Sequence, residues 1–151
     1  MEFVGLELHE ANPGNVKLKL PIKNEFTNVR ETVHGGVLVS MVDTTMGFTC
    51  KSLGFDEVVT LQLNTNFIKS VLEGTLFSEG KIISRTRTTA IVEGQIFDEQ
   101  GELLVHANGT FKLIKKTNYV SRKPGSVCYI FMLSCSCAYI ISFKLCESPT
   151  S

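Results

Sequence analysis

The chain has 151 residues, of which 43% are hydrophobic and 20% are charged, with 15 basic and 15 acidic side chains. This composition is typical of one globular domain, and it excludes a wholly disordered chain, a collagen and a coiled coil. The zero net charge argues against a nucleic-acid-binding module, which usually carries an excess of basic residues. Because Glu2, Glu7 and Glu10 interrupt the N-terminal segment, we expect no secretory leader and a reducing, cytoplasmic location.

The first two predicted elements are strands joined by a turn. A strand is expected from about Phe3 to His9, and the residues Asn12-Pro13-Gly14-Asn15 are typical of a turn. The next strand has apolar residues at alternate positions, which are Val16, Leu18 and Leu20. This alternation predicts a half-buried strand, antiparallel to the first.

The next element is predicted to be a helix from Gly35 to Cys50. These residues are almost all apolar or small, and the segment is too long for an ordinary strand. Because the helix is apolar on nearly all sides, we expect it to be surrounded by protein. Asp43 is its only charged residue.

Four strands are predicted after the helix, and short turns between them favour antiparallel pairing. In the first of these strands one face is predicted to carry Val59, Leu61, Leu63 and Phe67, and the other Thr60, Gln62, Asn64 and Asn66. The remaining strands are expected near residues 74–85, 90–97 and 103–113, with a turn at residues 98–101. The predicted class is therefore α+β, with a curved antiparallel sheet wrapped around one central apolar helix.

The composition changes near residue 117, so we predict a domain at residues 1–116 and a C-terminal appendage at residues 117–151. Residues 127–143 carry no charged side chain, and this run is close to the lower limit of about 17 residues for a membrane span. An appendage without a chemical role, an added strand or helix, and a membrane anchor remain open. Membrane contact is the least favoured of the three.

The distribution of cysteine and histidine predicts no metal site and no disulfide framework. Four of the five cysteines lie near the C-terminus, at Cys128, Cys135, Cys137 and Cys146, and their spacing matches no zinc motif. The histidines are scattered, at His9, His34 and His106. We therefore expect free thiols and no metal.

Two features of the helix indicate a reactive site. Burying an unpaired carboxylate costs several kcal/mol or more, so Asp43 is expected to be paired, shifted in pKa or turned towards a cleft. At the helix start, Gly35 and Gly36 leave the first N–H groups uncovered by side chains, where the helix dipole favours a developing oxyanion. Each feature also has a structural explanation, a tether for Asp43 and a tight turn for the glycines.

Gly35 and Asp43 are too far apart to act together within one chain. Eight residues of helix span about 12 Å. If the two residues cooperate, they must come from different chains of a two-fold dimer, with two equivalent sites at the interface.

The segment from Asn28 to Asp43, with His34-Gly35-Gly36 and an acid nine positions after the histidine, resembles the hotdog-fold acyl-CoA thioesterases of the phenylacetic-acid-degradation (PaaI-like) type. The resemblance covers about residues 1–115 and includes the segment His106-Ala107-Asn108-Gly109-Thr110-Phe111. It does not extend into the appendage.

The resemblance implies a role for each matching residue. Asp43 would be the catalytic acid residue, the Gly35 amide the oxyanion hole, and Asn28 a second group that holds the thioester carbonyl. Thr60 would supply a hydroxyl group opposite the acid. We assign His34 and Gly36 to substrate binding, His34 as the residue that orients the loop and Gly36 as support for the turn.

The implied function is hydrolysis of acyl-CoA thioesters to a free acid and CoA, with Asp43 as general base or nucleophile. Coenzyme A belongs to the substrate, so no separate cofactor is expected, and the expected assembly is a homodimer or a dimer of dimers. Arg85, Arg87 and Lys69 are candidates to contact the CoA phosphates. Two alternatives remain open, a hotdog hydratase or dehydratase and a non-catalytic acyl-CoA-binding module.

Overall fold

The computed structural model describes residues 5–115. These residues form six strands, one short 3₁₀ helix and one long α-helix. The strands are β1 (Glu7–Asn12), β2 (Asn15–Pro21), β3 (Glu57–Phe67), β4 (Thr75–Arg85), β5 (Thr89–Phe97) and β6 (Leu103–Ile114). The 3₁₀ helix is Asn24–Phe26, and the α-helix, α1, is Gly35–Lys51.

The six strands form one antiparallel sheet in the order β1-β2-β4-β5-β6-β3. Helix α1 lies across one face of this sheet and contacts β2 to β6. A single helix can meet five strands because twisted sheets curve, and this curvature places their inner faces around it. The predicted α+β arrangement, with one helix against a curved antiparallel sheet, is confirmed.

Helix α1 is covered by the sheet on one face only. Leu38, Met41, Val42, Met46 and Cys50 are buried there, at the three- and four-residue spacing that places side chains on one face of a helix. The sequence predicted a helix enclosed on all sides, whereas the opposite face is only half-buried within this chain. The difference arises because one sheet can cover only one face of the helix.

Two glycines let the sheet approach the helix closely. A Cβ atom added at Gly80 would lie 2.2 Å from Thr49 Oγ1, and one at Gly94 would lie 2.6 Å from Val42 Cγ2. Neither position has room for a side chain. Larger residues at the centre of β4 and β5 would therefore push α1 away from the sheet.

Strand β3 does not keep the simple alternation that the sequence predicted. Its register with β6 shifts between Thr60 and Gln62, which makes Leu61 the extra residue of a β-bulge. Before the bulge Thr60 pairs with the buried Phe111, and after it Phe67 pairs with the buried Val105. Because directly paired residues lie on the same face, Thr60 shares the helix-facing side with Phe67, and the predicted assignment of Thr60 to the opposite face is wrong.

Strand β1 begins and ends later than predicted. It covers Glu7–Asn12 instead of Phe3 to His9, because a two-residue turn with Gly14 at φ 80° lets Asn12 pair directly with Asn15. Its side chains are exposed, and Glu7 forms an ion pair with Lys19 at 2.9 Å. The hairpin therefore extends up to its turn.

The predicted appendage at residues 117–151, including the apolar run at 127–143, lies outside the described residues, and the domain boundary stays a prediction. Within residues 5–115, no helix is long and apolar enough to cross a membrane.

Candidate active site

Asp43 lies in the middle of α1, on the face that the sheet leaves half-covered. The Thr60 hydroxyl donates a hydrogen bond to Asp43 Oδ1 at 2.9 Å. Burial raises the pKa of the Asp43 carboxyl above its ordinary value, and the hydrogen bond from Thr60 acts in the opposite direction. Within residues 5–115 this carboxyl group is therefore neither fully solvated nor held in an ion pair.

Thr60 reaches Asp43 because of the irregularity in β3. The bulge lies directly after Thr60, in β3, which is the edge strand of the sheet formed by residues 5–115. Bulges are common next to active sites because the extra residue changes where neighbouring side chains point. Here Thr60 faces the helix, opposite the acid.

The start of α1 has one amide without a partner in the described chain. His34 is the N-cap, and its Nδ1 accepts a hydrogen bond from the Gly36 N–H at 3.0 Å. The Val37 N–H donates to the His34 carbonyl at 2.9 Å. Within residues 5–115, no group accepts from the Gly35 N–H, so this amide is available to a ligand oxygen at the positive end of the helix dipole.

His34 therefore organises the helix start through its side chain. Its imidazole is exposed, and a Cβ atom added at Gly36 would lie 3.1 Å from His34 Nδ1. Glycine at position 36 thus leaves room for the imidazole to reach the backbone. An imidazole nitrogen accepts such a bond through its lone pair.

Asn28 lies in the loop that leads into the helix, and its side chain bonds within that loop. Asn28 Oδ1 accepts from the Arg30 N–H at 2.8 Å, and Nδ2 donates to Thr32 Oγ1 at 3.0 Å. Glu31 adopts a φ of 62° to complete this turn. The side-chain amide has a second N–H, so Asn28 can hold the loop and still donate to a ligand.

The structure brings the predicted site residues together as two groups. Asp43 and Thr60 form one group, halfway along the helix. His34, Gly35 and Gly36 form the other, at the helix start, about 12 Å away along the axis. Within one chain the carboxylate and the free amide cannot contact the same carbonyl group.

A basic groove lies at the end of the sheet near the start of β3. Among the described residues that line it, the charged ones are all cations; these residues are Phe55, Arg85, Thr86, Arg87, Thr88, Lys112, Leu113, Ile114 and Lys115. The Arg85 guanidinium lies 6.0 Å and the Lys115 ammonium 5.7 Å from the centre of the Phe55 ring. Two of the three predicted phosphate-binding candidates, Arg85 and Arg87, thus lie in one groove. The clustering of four cations depends on strand pairing, and spacing along the chain could not reveal it.

Lys69, the third candidate, is elsewhere. It forms an ion pair with Glu102 and lines a different surface depression together with Glu31, Glu73 and Asp98. Carboxylates in these surroundings repel a phosphate group. Among the described residues there is also no group of three or more His, Cys, Asp or Glu side chains placed to hold a metal ion.

Two sequence relationships connect the chain to known proteins. The model of a family described as the thioesterase superfamily matches residues 31–105. A protein of Saccharolobus solfataricus, whose name gives it provisionally as an esterase, is 30% identical over 119 residues, which are 77% of this chain and 78% of that protein.

Solved structures also resemble this chain. A hypothetical thioesterase from Streptococcus pneumoniae, solved with coenzyme A, is 26% identical with a TM-score of 0.72 over 77% of this chain and 91% of that one. That protein has also been solved with an aspartate and with a threonine replaced by alanine. The PaaI protein from the phenylacetic acid degradation operon of E. coli, at 20% identity, has the same fold with a TM-score of 0.71 over 74% of this chain and 81% of that one. The fold of residues 5–115 is thus the predicted hotdog fold.

Proposed function

The chain belongs to the thioesterase superfamily, and from this premise we propose that it hydrolyses acyl-CoA thioesters to a free acid and CoA. The observation that carries the proposal is the half-buried Asp43, hydrogen-bonded to Thr60 on the inner side of an edge strand. A carboxyl group in such surroundings can take part in proton transfer or nucleophilic attack. The coenzyme A in the related streptococcal structure supports the choice of substrate.

In this proposal the helix start polarises the thioester carbonyl. The carbonyl oxygen accepts a hydrogen bond from the Gly35 N–H, with Asn28 Nδ2 as a second donor. As the carbonyl carbon becomes tetrahedral, negative charge develops on this oxygen, and the helix dipole stabilises it. His34 and Gly36 keep the loop in place, because the imidazole occupies the neighbouring amide.

Asp43 then supplies the reactive oxygen or activates the water that attacks. As general base it takes a proton from water, and the hydroxide adds to the carbonyl carbon. As nucleophile it forms an anhydride that water hydrolyses. In the first route Asp43 passes this proton to the sulfur as the C–S bond breaks. In the second the C–S bond breaks when the anhydride forms, water protonates the departing thiolate, and hydrolysis of the anhydride frees Asp43. In both routes Thr60 holds the carboxylate in one orientation.

We propose further that a homodimer completes the site, because Gly35 and Asp43 are too far apart within one helix. Strand β3 is an edge strand among residues 5–115, and its exposed Val59 and Leu61 are 37% and 56% accessible. Exposed apolar edges favour pairing with another strand. Pairing of two β3 strands would bring the half-covered faces of the two helices together, with Gly35 of one chain near Asp43 of the other.

The basic groove suits the phosphate groups of CoA. Thr60 pairs with Phe111, and the next residues of β6, Lys112 and Leu113, line the groove. The groove and the Asp43 carboxyl therefore lie at the same end of the sheet. Arginine and lysine bind phosphate through charge-assisted hydrogen bonds.

Release of free thiol from a panel of aryl and short- to medium-chain acyl-CoAs tests the function. Wild-type protein should turn over at least one of them, and Asp43→Asn should lower kcat by about 100-fold or more. Asp98→Asn, which removes a carboxylate from an exposed turn, is the matched control and should leave kcat unchanged. Because desolvation penalises the ionised form of Asp43, the D43N variant should be no less stable than wild type at pH 7.

The alternative functions predict different results in the same assay. Full activity of D43N would overturn the proposed role of Asp43. Binding of acyl-CoA without thiol release by wild type would favour a non-catalytic binding module. Water addition to, or loss from, an acyl-CoA that stops in His34→Ala would favour a hydratase or dehydratase.

A further inference from the structure

Phe67 is a large aromatic residue in an unusual place. It ends β3 on the helix-facing side, paired with the buried Val105. Most inward residues of the sheet are buried, yet 56% of Phe67 is exposed. Within one chain no described residue covers this ring on its open side, and in the proposed dimer the ring belongs to the strand that pairs with the partner. Neither the sequence motif nor the proposed reaction uses it.

The ring lies beside the helix start. A Cβ atom added at Gly35 would be 3.4 Å from Phe67 Cζ and 3.5 Å from Cε1, which is ordinary van der Waals contact. The Cα–Cβ direction of a helical residue tilts towards the N-terminus, where the free N–H groups also point. The exposed ring and the free amide of Gly35 therefore border the same space.

We infer that Phe67 forms one wall of the acyl subsite and selects apolar acyl groups longer than acetyl. The inference rests on the proposed function. A carbonyl oxygen bonded to the Gly35 N–H lies about 2.7–3.1 Å from that nitrogen. The carbons attached to the carbonyl then extend within reach of the ring, and burying them against it removes apolar surface from water. An acetyl group has only one methyl to bury, so it gains least from this contact.

The test compares kcat/KM for hexanoyl-CoA and acetyl-CoA. Phe67→Ala should lower the value for hexanoyl-CoA by about tenfold and that for acetyl-CoA by less than about twofold. Phe67→Leu, which keeps an apolar side chain and the fold, should show a smaller change in the same direction. Ile68→Ala is the matched control, because Ile68 is adjacent and 55% exposed, and it should leave the ratio unchanged.

A second variant probes the space between the ring and the helix. Gly35→Ala keeps the N–H donor but places a methyl group against Phe67. It should lower kcat/KM for hexanoyl-CoA more than for acetyl-CoA. In the double variant with Phe67→Ala, removal of the ring should restore part of the loss.

Equal losses for both substrates in F67A and F67L would overturn the inference and assign Phe67 a structural role. Dissociation of the F67A dimer, or a fall in its Tm large enough to explain the whole loss of activity, would also assign Phe67 a structural role. Failure of the proposed function is distinguishable, because wild type would then release no thiol from any acyl-CoA. In that case the Kd values of D43N and D43N/F67A for hexanoyl-CoA and acetyl-CoA test the inference. Loss of the Phe67 ring should raise Kd by about tenfold for hexanoyl-CoA and by less than about twofold for acetyl-CoA.

Discussion

At the Asp43 carboxyl two effects act in opposite directions. Burial raises its pKa, while the hydrogen bond from Thr60 lowers it. The Thr60 hydroxyl thus helps to keep Asp43 ionised near neutral pH, and ionisation is what both proposed routes of hydrolysis require.

Removal of the Thr60 hydroxyl should therefore shift the pH dependence of the reaction. In Thr60→Ala the pKa of Asp43 rises further, so the acid limb of the kcat/KM profile moves to higher pH, whereas Thr60→Ser keeps the limb in place. A hydrogen bond to a charged group contributes about 1.5–3 kcal/mol, so T60A should also lose about tenfold or more in kcat/KM at neutral pH. Superimposable profiles of wild type and T60A would refute this role.

Prediction from the sequence succeeded to different degrees for these residues. The position of Asp43 in an apolar helix followed from hydrophobicity alone. Its bond to Thr60 did not, because alternation placed Thr60 on the other face of β3, and only the family resemblance assigned it opposite the acid. A β-bulge depends on the register with β6, which the sequence of one strand does not encode.

The contact between α1 and the sheet depends on two glycines, Gly80 and Gly94, which leave room for the helix. Gly94→Ala would place a methyl group 2.6 Å from Val42 Cγ2 and 3.0 Å from Met46 Cγ. Overpacking of this kind costs about 1–3 kcal/mol in the free energy of unfolding. Urea denaturation should show this loss for G94A, while Gln95→Ala, the outward-facing neighbour in the same strand, should stay within about 0.5 kcal/mol of wild type. An unchanged G94A midpoint would mean that the helix and the sheet have room for a methyl group at position 94.

The elements themselves were largely predictable. Alternation located β2 and β4 to β6 to within a few residues, because each has one face against the helix and one towards solvent. The start of β1 was misplaced because its side chains are exposed and give no burial pattern. The close approach at Gly94 was also unpredictable, since the residue that faces it lies about 50 positions away in the chain.

Charge is distributed unevenly over the surface of residues 5–115. The groove lined by Arg85, Arg87 and Lys112 is basic, whereas the depression around Lys69 contains several carboxylates. If the groove binds the nucleotide end of CoA, Arg87→Ala should raise KM for an acyl-CoA by about tenfold and leave KM for the corresponding acyl-pantetheine unchanged. Lys69→Ala, which removes a lysine already paired with Glu102, is the control. An equal rise in KM for both thioesters would exclude a phosphate contact by Arg87.

In the proposed homodimer, each site combines the Gly35 amide of one chain with the Asp43 carboxylate of the other. Gly35→Pro removes the N–H at the first helical position, where proline is well tolerated, and His34 already has the extended conformation (φ −63°, ψ 131°) that a residue before proline prefers. Like D43N, the G35P homodimer should lose about 100-fold or more in kcat.

The decisive measurement mixes the two inactive variants under conditions that allow the subunits to exchange. A D43N/G35P heterodimer contains one intact site and one doubly defective site. Random exchange makes about half of the dimers mixed, so thiol release should recover to about one quarter of the wild-type rate. If the subunits have exchanged and the mixture is still no more active than D43N and G35P measured separately and added, a site shared between chains is contradicted.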